Sequence, residues 1–318
     1  MAARLLVFQE HEIREVATLN EQSLACIEQA FSALAAGRVI MPAPLGLYLE
    51  EGQGEVHVKT AYIRGSKGFA VKVATGFYRN AALGLPNSSG VVLYLDSQTG
   101  QSRALFVDNG YLTDLRTALA GAVAAKQLAP AGDANVGIIG TGIQARWQLR
   151  AIAAVRKVEQ VFVFGRSVAA TQAYINEMQS AISGSFHRAD TVEDLVRDSN
   201  LVVTTTPSRE PLIKVEHLHA GLHITAMGSD GPGKQELHPG VVEQADMVVC
   251  DSYEQCKRVG ELQWADVPRE SVIELGELTS GTKKARINNS QISICDLTGT
   301  GAQDSAIAEY VFSALGAT

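Results

Sequence analysis

The stretch Val136-Gly137-Ile138-Ile139-Gly140-Thr141-Gly142-Ile143-Gln144-Ala145 constrains the fold more than any other part of the chain. An apolar strand-like run leads straight into G-x-G-x-x-A, and a helical pattern follows. Gly140 permits a tight turn, Gly142 lets the backbone approach a pyrophosphate, and Ala145 lets the helix pack close to the strand. The phosphates would sit at the helix N-terminus, where unpaired N–H groups and the helix dipole attract anions. Gly140, Thr141, Gly142, Ile143, Gln144 and Ala145 are therefore expected to hold a dinucleotide. Ile143, Trp147, Ala151 and Ala154 are expected to form the apolar face of the helix.

The motif lies mid-chain, so a different kind of structure precedes it. Leu24, Ile27, Phe31 and Leu34 recur at helical spacing, and Gly37 ends that helix. Strand-like segments follow at 45–49, 56–63, 69–73, 91–95 and 104–107, with Glu51-Gly52-Gln53-Gly54 as a hairpin turn. A long helix is expected over 111–128, stopping before Pro130. Strands at 136–139, 161–164, 201–205, 223–226 and 247–251 then alternate with helices, which argues for βαβ units and a parallel sheet. After a strand at 292–295, a last helix at 304–315 is placed to return to the first domain. The expected class is α/β: an α+β domain over 1–118 with 300–318, and a Rossmann dinucleotide-binding domain over 119–299.

A formal net charge of -7 gives no basic footprint, so nucleic acid is not an expected partner. No apolar run approaches the roughly 18 residues that span a bilayer. The opening Met1–Phe8 segment has too short an apolar core for a signal peptide and soon becomes charged, so a cytoplasmic protein is expected. The four cysteines, Cys26, Cys250, Cys256 and Cys295, form no C-x-x-C and are expected as free thiols. His217, His219 and His223 flank Gly221, which breaks any helix between them, so no metal site is expected.

The strand at 161–164 runs into Gly165-Arg166-Ser167, with no carboxylate for a ribose 2′-hydroxyl, and Glu159 is read as lying before that strand. A guanidinium at Arg166 and a hydroxyl at Ser167 suit a 2′-phosphate, so NADP(H) is favoured over NAD(H). Thr205 and Thr206, at the end of the next strand, are expected either to contact the cofactor or to cap the turn before Pro207.

Several segments together resemble the ornithine cyclodeaminase/mu-crystallin family. These are Asp108-Asn109-Gly110-Tyr111-Leu112-Thr113-Asp114-Leu115-Arg116-Thr117, then Ala226-Met227-Gly228-Ser229-Asp230-Gly231-Pro232-Gly233-Lys234-Gln235-Glu236-Leu237, and Cys295-Asp296-Leu297-Thr298-Gly299-Thr300-Gly301. With Ala70-Val71-Lys72-Val73 and the fingerprint, the likeness runs in order through almost the whole chain. The resemblance implies that Lys72 faces the substrate, Arg116 clamps its carboxylate, and Asp230 is the catalytic carboxylate. Thr117, Met227, Gly228 and Ser229 would line the cofactor. It also implies a homodimer built through the first domain.

The chemistry those residues permit is explicit. A fork-shaped guanidinium holds a carboxylate in one orientation, and Asp230 can move a proton on or off a reacting amine or imine. Lys72 can share the carboxylate or polarise the imine. Two positions depart from the family pattern. Met41-Pro42-Ala43-Pro44-Leu45-Gly46 has no arginine, so Lys59 is the candidate replacement cation. His57, on the same face as Glu55 and Lys59, stands about where cyclodeaminases have a glutamate. The expected activity is NADP-dependent oxidation of an L-amino acid at its C–N bond, a basic one such as L-arginine among the candidates, or the reverse reduction of an imine. The alternatives are a cyclodeaminase with bound NAD and a crystallin-like NADPH binder.

Overall fold

The computed structural model describes residues 5–316 except Tyr78. Residues 1–4 of the opening segment lie outside the described residues. The chain divides into two compact units, 1–116 with 300–318, and 117–299.

The first unit begins with β1 (Leu6–Gln9), α1 (Glu10–Val16) and α2 (Glu21–Ala35). Asn20 caps α2 by accepting from Ser23 N–H at 2.8 Å, and Gly37 follows at φ +66°. Then come β2 (Val39–Ile40), β3 (Leu45–Leu49), β4 (Gly54–Ile63), β5 (Gly68–Phe77), β6 (Ser88–Asp96) and β7 (Ser102–Val107). They form one sheet in the order β1-β7-β6-β5-β4-β2, with β3 also paired to β4. All pairings are antiparallel except β1 with β7. The hairpin expected at 51–54 joins β3 to β4.

The long helix α3 (Tyr111–Leu128) follows, and the division between units falls within it. The second unit holds β8 (Ala134–Ile139), α4 (Ile143–Val155), β9 (Val158–Phe164), α5 (Val168–Met178), β10 (Ser185–Arg188), α6 (Val192–Asp198), β11 (Leu201–Thr204) and β12 (His223–Ala226). It continues through α7 (Pro239–Glu243), β13 (Met247–Cys250), α8 (Tyr253–Val259), β14 (Val272–Glu274), α9 (Leu275–Thr279) and β15 (Ser293–Asp296). Its eight strands are all parallel, in the order β10-β9-β8-β11-β12-β15-β13-β14. The chain winds outward from β8 in one direction and then in the other. This makes the β8/β11 junction the switch point, where ligands of such sheets bind beyond the strand ends. The last helix, α10 (Gly301–Ala314), belongs to the first unit and packs on β4, β5 and α2.

Three expectations need correction. The buried face of α4 is Ala145, Gln148, Leu149, Ala151 and Ile152, whereas Ile143 is 50 % exposed and Ala154 is exposed. Gln148 is drawn inside because its amide donates to Thr117 O at 3.0 Å, a bond that hydrophobic periodicity does not foresee. Glu159 lies within β9, at its start and far along the strand from Arg166. Finally, β1, β2, β10 and β14 were not expected, being short strands at sheet edges with little alternation to read.

Candidate active site

In the first unit, β4 and β5 pair so that Lys59 lies directly across from Lys72. Lys72 is 2 % exposed and Lys59 8 % exposed. Further along the same face of β4, His57 Nε2 lies 3.7 Å from Glu55 Oε2, and Tyr48 stands edge-on to the His57 ring. Arg116 comes from the second turn of α3. That helix start is fixed by Asp108, whose Oδ2 accepts from Leu112 N–H at 2.8 Å, after Asn109 and Gly110 turn the chain at positive φ.

Asp304, in the first turn of α10, ties these elements together. Its Oδ1 accepts from Lys72 Nζ at 3.0 Å and lies 3.1 Å from Arg116 Nε. The helix start is docked tightly. A Cβ at Gly301 would meet Thr60 O at 2.4 Å, so only glycine allows this approach. Ser305 Oγ donates to Ala61 O and accepts from Ala70 N–H. Thr300 and Gln303 form a capping box, Gln303 Oε1 accepting from Thr300 N–H at 2.7 Å.

Burial, and then the neighbouring Arg116, pull the Lys72 ammonium down to about 7, against the opposing pull of Asp304. Burial alone would raise the Asp304 carboxyl, but Lys72, Arg116 and Lys59 outweigh it and hold it below the ordinary range. Two buried cations thus share one oxygen of one ionised carboxylate. The Arg116 contact is an ion pair without hydrogen-bond geometry, and Asp304 Oδ2 is buried without a hydrogen-bond partner among the described residues.

In the second unit the fingerprint loop has the geometry a dinucleotide needs. Gly140 sits at φ +116°, and a Cβ there would meet Thr205 Oγ1 at 2.5 Å. Gly142 begins α4 with no side chain capping the helix, and a Cβ on it would enter open space. A helix N-terminus of this kind, opening at Gly142, attracts an anion, and a pyrophosphate fits the chemistry of this loop. Arg146 braces the loop from inside, its Nη1 donating to Thr141 O at 2.6 Å and Gly142 O at 3.1 Å. Arg166 is exposed at the end of β9, while Ser167 caps α5 by accepting from Ala170 N–H.

The hydroxyls at the neighbouring strand ends are committed elsewhere. Thr205 Oγ1 donates to Ile139 O, and Thr206 Oγ1 donates to Glu236 Oε1 at 2.7 Å. Glu236 also accepts from Thr204 Oγ1, Thr206 N–H and Gly228 N–H, so one buried carboxylate joins the ends of β11 and β12. Met227 N–H donates to Thr204 O. Ser229 is 1 % exposed and its hydroxyl donates to Lys234 O at 2.9 Å. Asp230 is partly exposed, with its Oδ1 2.7 Å from Lys234 Nζ.

The histidines are spent separately. His217 Nδ1 accepts from Lys214 N–H, His219 Nε2 lies 3.0 Å from Val196 O, and His223 lies between Ser293 and Thr225. Burial pushes His223 down to about 3. Among the described residues no group of His, Cys, Asp or Glu is placed to hold a metal ion. Nor is any described helix long and apolar enough to cross a membrane.

Residues 4–318 match the family model described as ornithine cyclodeaminase/mu-crystallin. The chain belongs to that family. A Sinorhizobium fredii protein named an uncharacterised cyclodeaminase is 43% identical over 96% of this chain and 94% of its own length. The Thermococcus litoralis Δ1-pyrroline-2-carboxylate reductase, solved with NADH and L-proline, superposes with a TM-score of 0.90 at 26% identity, covering 97% of each chain. An archaeal alanine dehydrogenase dimer with bound NAD gives 0.87 at 31% identity, covering 98% of this chain and 95% of its own. This family member is an enzyme of the NAD(P)-dependent dehydrogenase and reductase kind, with a Rossmann-like unit.

Sequence reading brought Lys72 and Arg116 forward but missed the group that joins them. The available signal for Asp304 was an acid in the first turn of the last helix, just beyond a Thr-x-x-Gln capping box. Arg146 was missed because an arginine on an exposed helix turn reads as a solvated charge. Nothing in its spacing reveals two carbonyl acceptors.

Proposed function

We propose that this protein is an NADP(H)-dependent oxidoreductase acting on the C–N bond of an L-amino acid, or on the corresponding imine. The observation that carries this reading is the buried Lys72–Asp304–Arg116 cluster, in which two cations share a single carboxylate oxygen. Such a cluster sets two cations against one carboxylate, and a fork-shaped guanidinium beside an ammonium suits the carboxylate of an amino acid. Arg116 and Lys72 hold the substrate carboxylate, and Lys59 adds charge from the facing strand. His57 with Glu55 meets the side chain, and the acid favours a basic one such as that of L-arginine.

Asp230 takes the proton from the amine in one direction and returns it to the imine in the other, and Lys234 orients it. The N–H groups at the start of α4 hold the pyrophosphate, and Thr117 lies near the cofactor. Arg166, with no carboxylate beside it, favours a 2′-phosphate. The nicotinamide, when bound, supplies or accepts the hydride. The homodimer expected from the family finds support in β3, an edge strand whose Leu45, Leu47 and Leu49 are all exposed.

The test is to incubate the purified protein with NADP or NAD, a panel of L-amino acids and cyclic imine carboxylates, following absorbance and ammonia. Stoichiometric NADPH with ammonia, or NADPH-dependent imine reduction, is expected. Ammonia with a cyclic product and no net NADPH would make it a cyclodeaminase. Silence in both directions would make it a binder. Asp230→Asn should lower turnover by roughly 10²–10⁴-fold with cofactor affinity retained, and a large loss of cofactor binding would refute the role.

A further inference from the structure

We infer that Asp304 is a positioning residue for catalysis, holding Lys72 and Arg116 in register for the substrate carboxylate and keeping Lys72 charged. This rests on the reading of those two cations given above. The geometry is specific. One oxygen, Oδ1, lies 3.0 Å from Lys72 Nζ and 3.1 Å from Arg116 Nε, so the two cations from β5 and α3 are indexed to the same point. That point is set by α10, which Gly301 and Ser305 lock onto β4 and β5. A helix N-terminus also favours a carboxylate in its first turn. A purely structural ion pair would satisfy both oxygens and the guanidinium. Here Asp304 Oδ2 has no hydrogen-bond partner among the described residues, and Arg116 Nε meets Oδ1 at ion-pair distance without forming a hydrogen bond.

The charges facing Lys72 are Lys59 from β4, Arg116 from α3, Asp304 from α10 and Asp108 at the start of α3. Burial raises the Asp108 carboxyl, whereas Asp304 is held ionised, so Asp304 is the stronger support for the ammonium. With that support the Lys72 ammonium titrates at about 7. Without it, burial and the two neighbouring cations would take the proton off at lower pH.

The experiment measures inhibition by propionate, a carboxylate largely ionised over this range, from pH 5.5 to 9 with its constant referred to the ionised form, together with turnover. In the unaltered protein the inhibition constant should rise through a midpoint near 7. In Asp304→Asn the midpoint should fall by about one unit or more and turnover by about tenfold. Asp304→Glu should keep the midpoint while losing about tenfold in turnover, because charge is retained and position is not. Ser305→Ala, which loosens the same helix without changing a charge, should lower the melting temperature and leave the midpoint in place. A folded Asp304→Asn with an unmoved midpoint would overturn the inference. Should Asp304→Asn not fold, undiminished turnover in Asp304→Glu would overturn it. Arg116→Lys separates the two readings: if it leaves propionate inhibition unchanged, the carboxylate clamp itself fails. If it weakens inhibition while the Asp304 variants behave as wild type, this inference alone fails.

Discussion

Asp304 and Glu236 are both acids buried in the described structure, 2 % and 0 % exposed, and they are used in opposite ways. Glu236 accepts from two threonine hydroxyls and two backbone N–H groups, all neutral donors, and together these bonds link the ends of β11 and β12. Burial raises its carboxyl, against the pull of those four bonds. Asp304 instead faces charged side chains, and one of its oxygens has no hydrogen-bond partner among the described residues. A buried acid whose hydrogen-bonding capacity is used up on neutral backbone and hydroxyl donors builds the fold. One that gathers cations and leaves capacity unused prepares for a ligand.

The comparison breaks most readily on stability. Glu236→Ala leaves four donors unsatisfied and should cost about 3–5 kcal/mol, seen as a drop of roughly 10 °C in the melting temperature. A melt within a degree or two of wild type would remove the distinction. The next largest effect is on pH. The folded-state value for Lys72, about 7, lies below its ordinary 10.5. Carboxylate binding that needs the ammonium is therefore complete below 7 and weakens by up to about tenfold per unit above it. The unfolded chain holds the extra proton between 7 and 10.5, so this group's contribution to stability rises with pH across that window. Lys72→Met should abolish the pH dependence of binding and flatten that rise, and a persistent titration near 7 would assign it to another group. The smallest effect concerns the cofactor. Arg166→Ala should weaken NADP binding by about tenfold and leave NAD binding nearly unchanged. Equal losses for both would remove the 2′-phosphate role.

The parallel sheet of the second unit was legible because apolar β8 runs straight into a glycine motif and a helix, with strands and helices alternating after it, and α3 was legible because it is long and ends before Pro130. The edge strands β10 and β14 were not, since three or four residues with mixed polarity carry no periodic signal. At the site, Arg116 and Lys72 were legible only through resemblance, as charges on otherwise apolar elements. Asp304 was hidden because its meaning depends on where α10 docks, and Gly301 and Ser305 decide that across more than 230 residues of sequence, as the Ala70–Ser305 bond shows. The threonines at 205 and 206 were read for their position at a strand end. Their partners, Ile139 O and Glu236, come from separate segments.

The central claim is that the Lys72–Arg116 pair reads a substrate carboxylate. It is tested most directly by comparing kcat/KM for a five-membered cyclic imine carrying a 2-carboxylate with that for the same imine lacking it, in wild type and Arg116→Lys. The account predicts a preference for the carboxylate on the order of 10³-fold or more in wild type, falling by about 10²-fold in the variant. An equal preference in both proteins would contradict it.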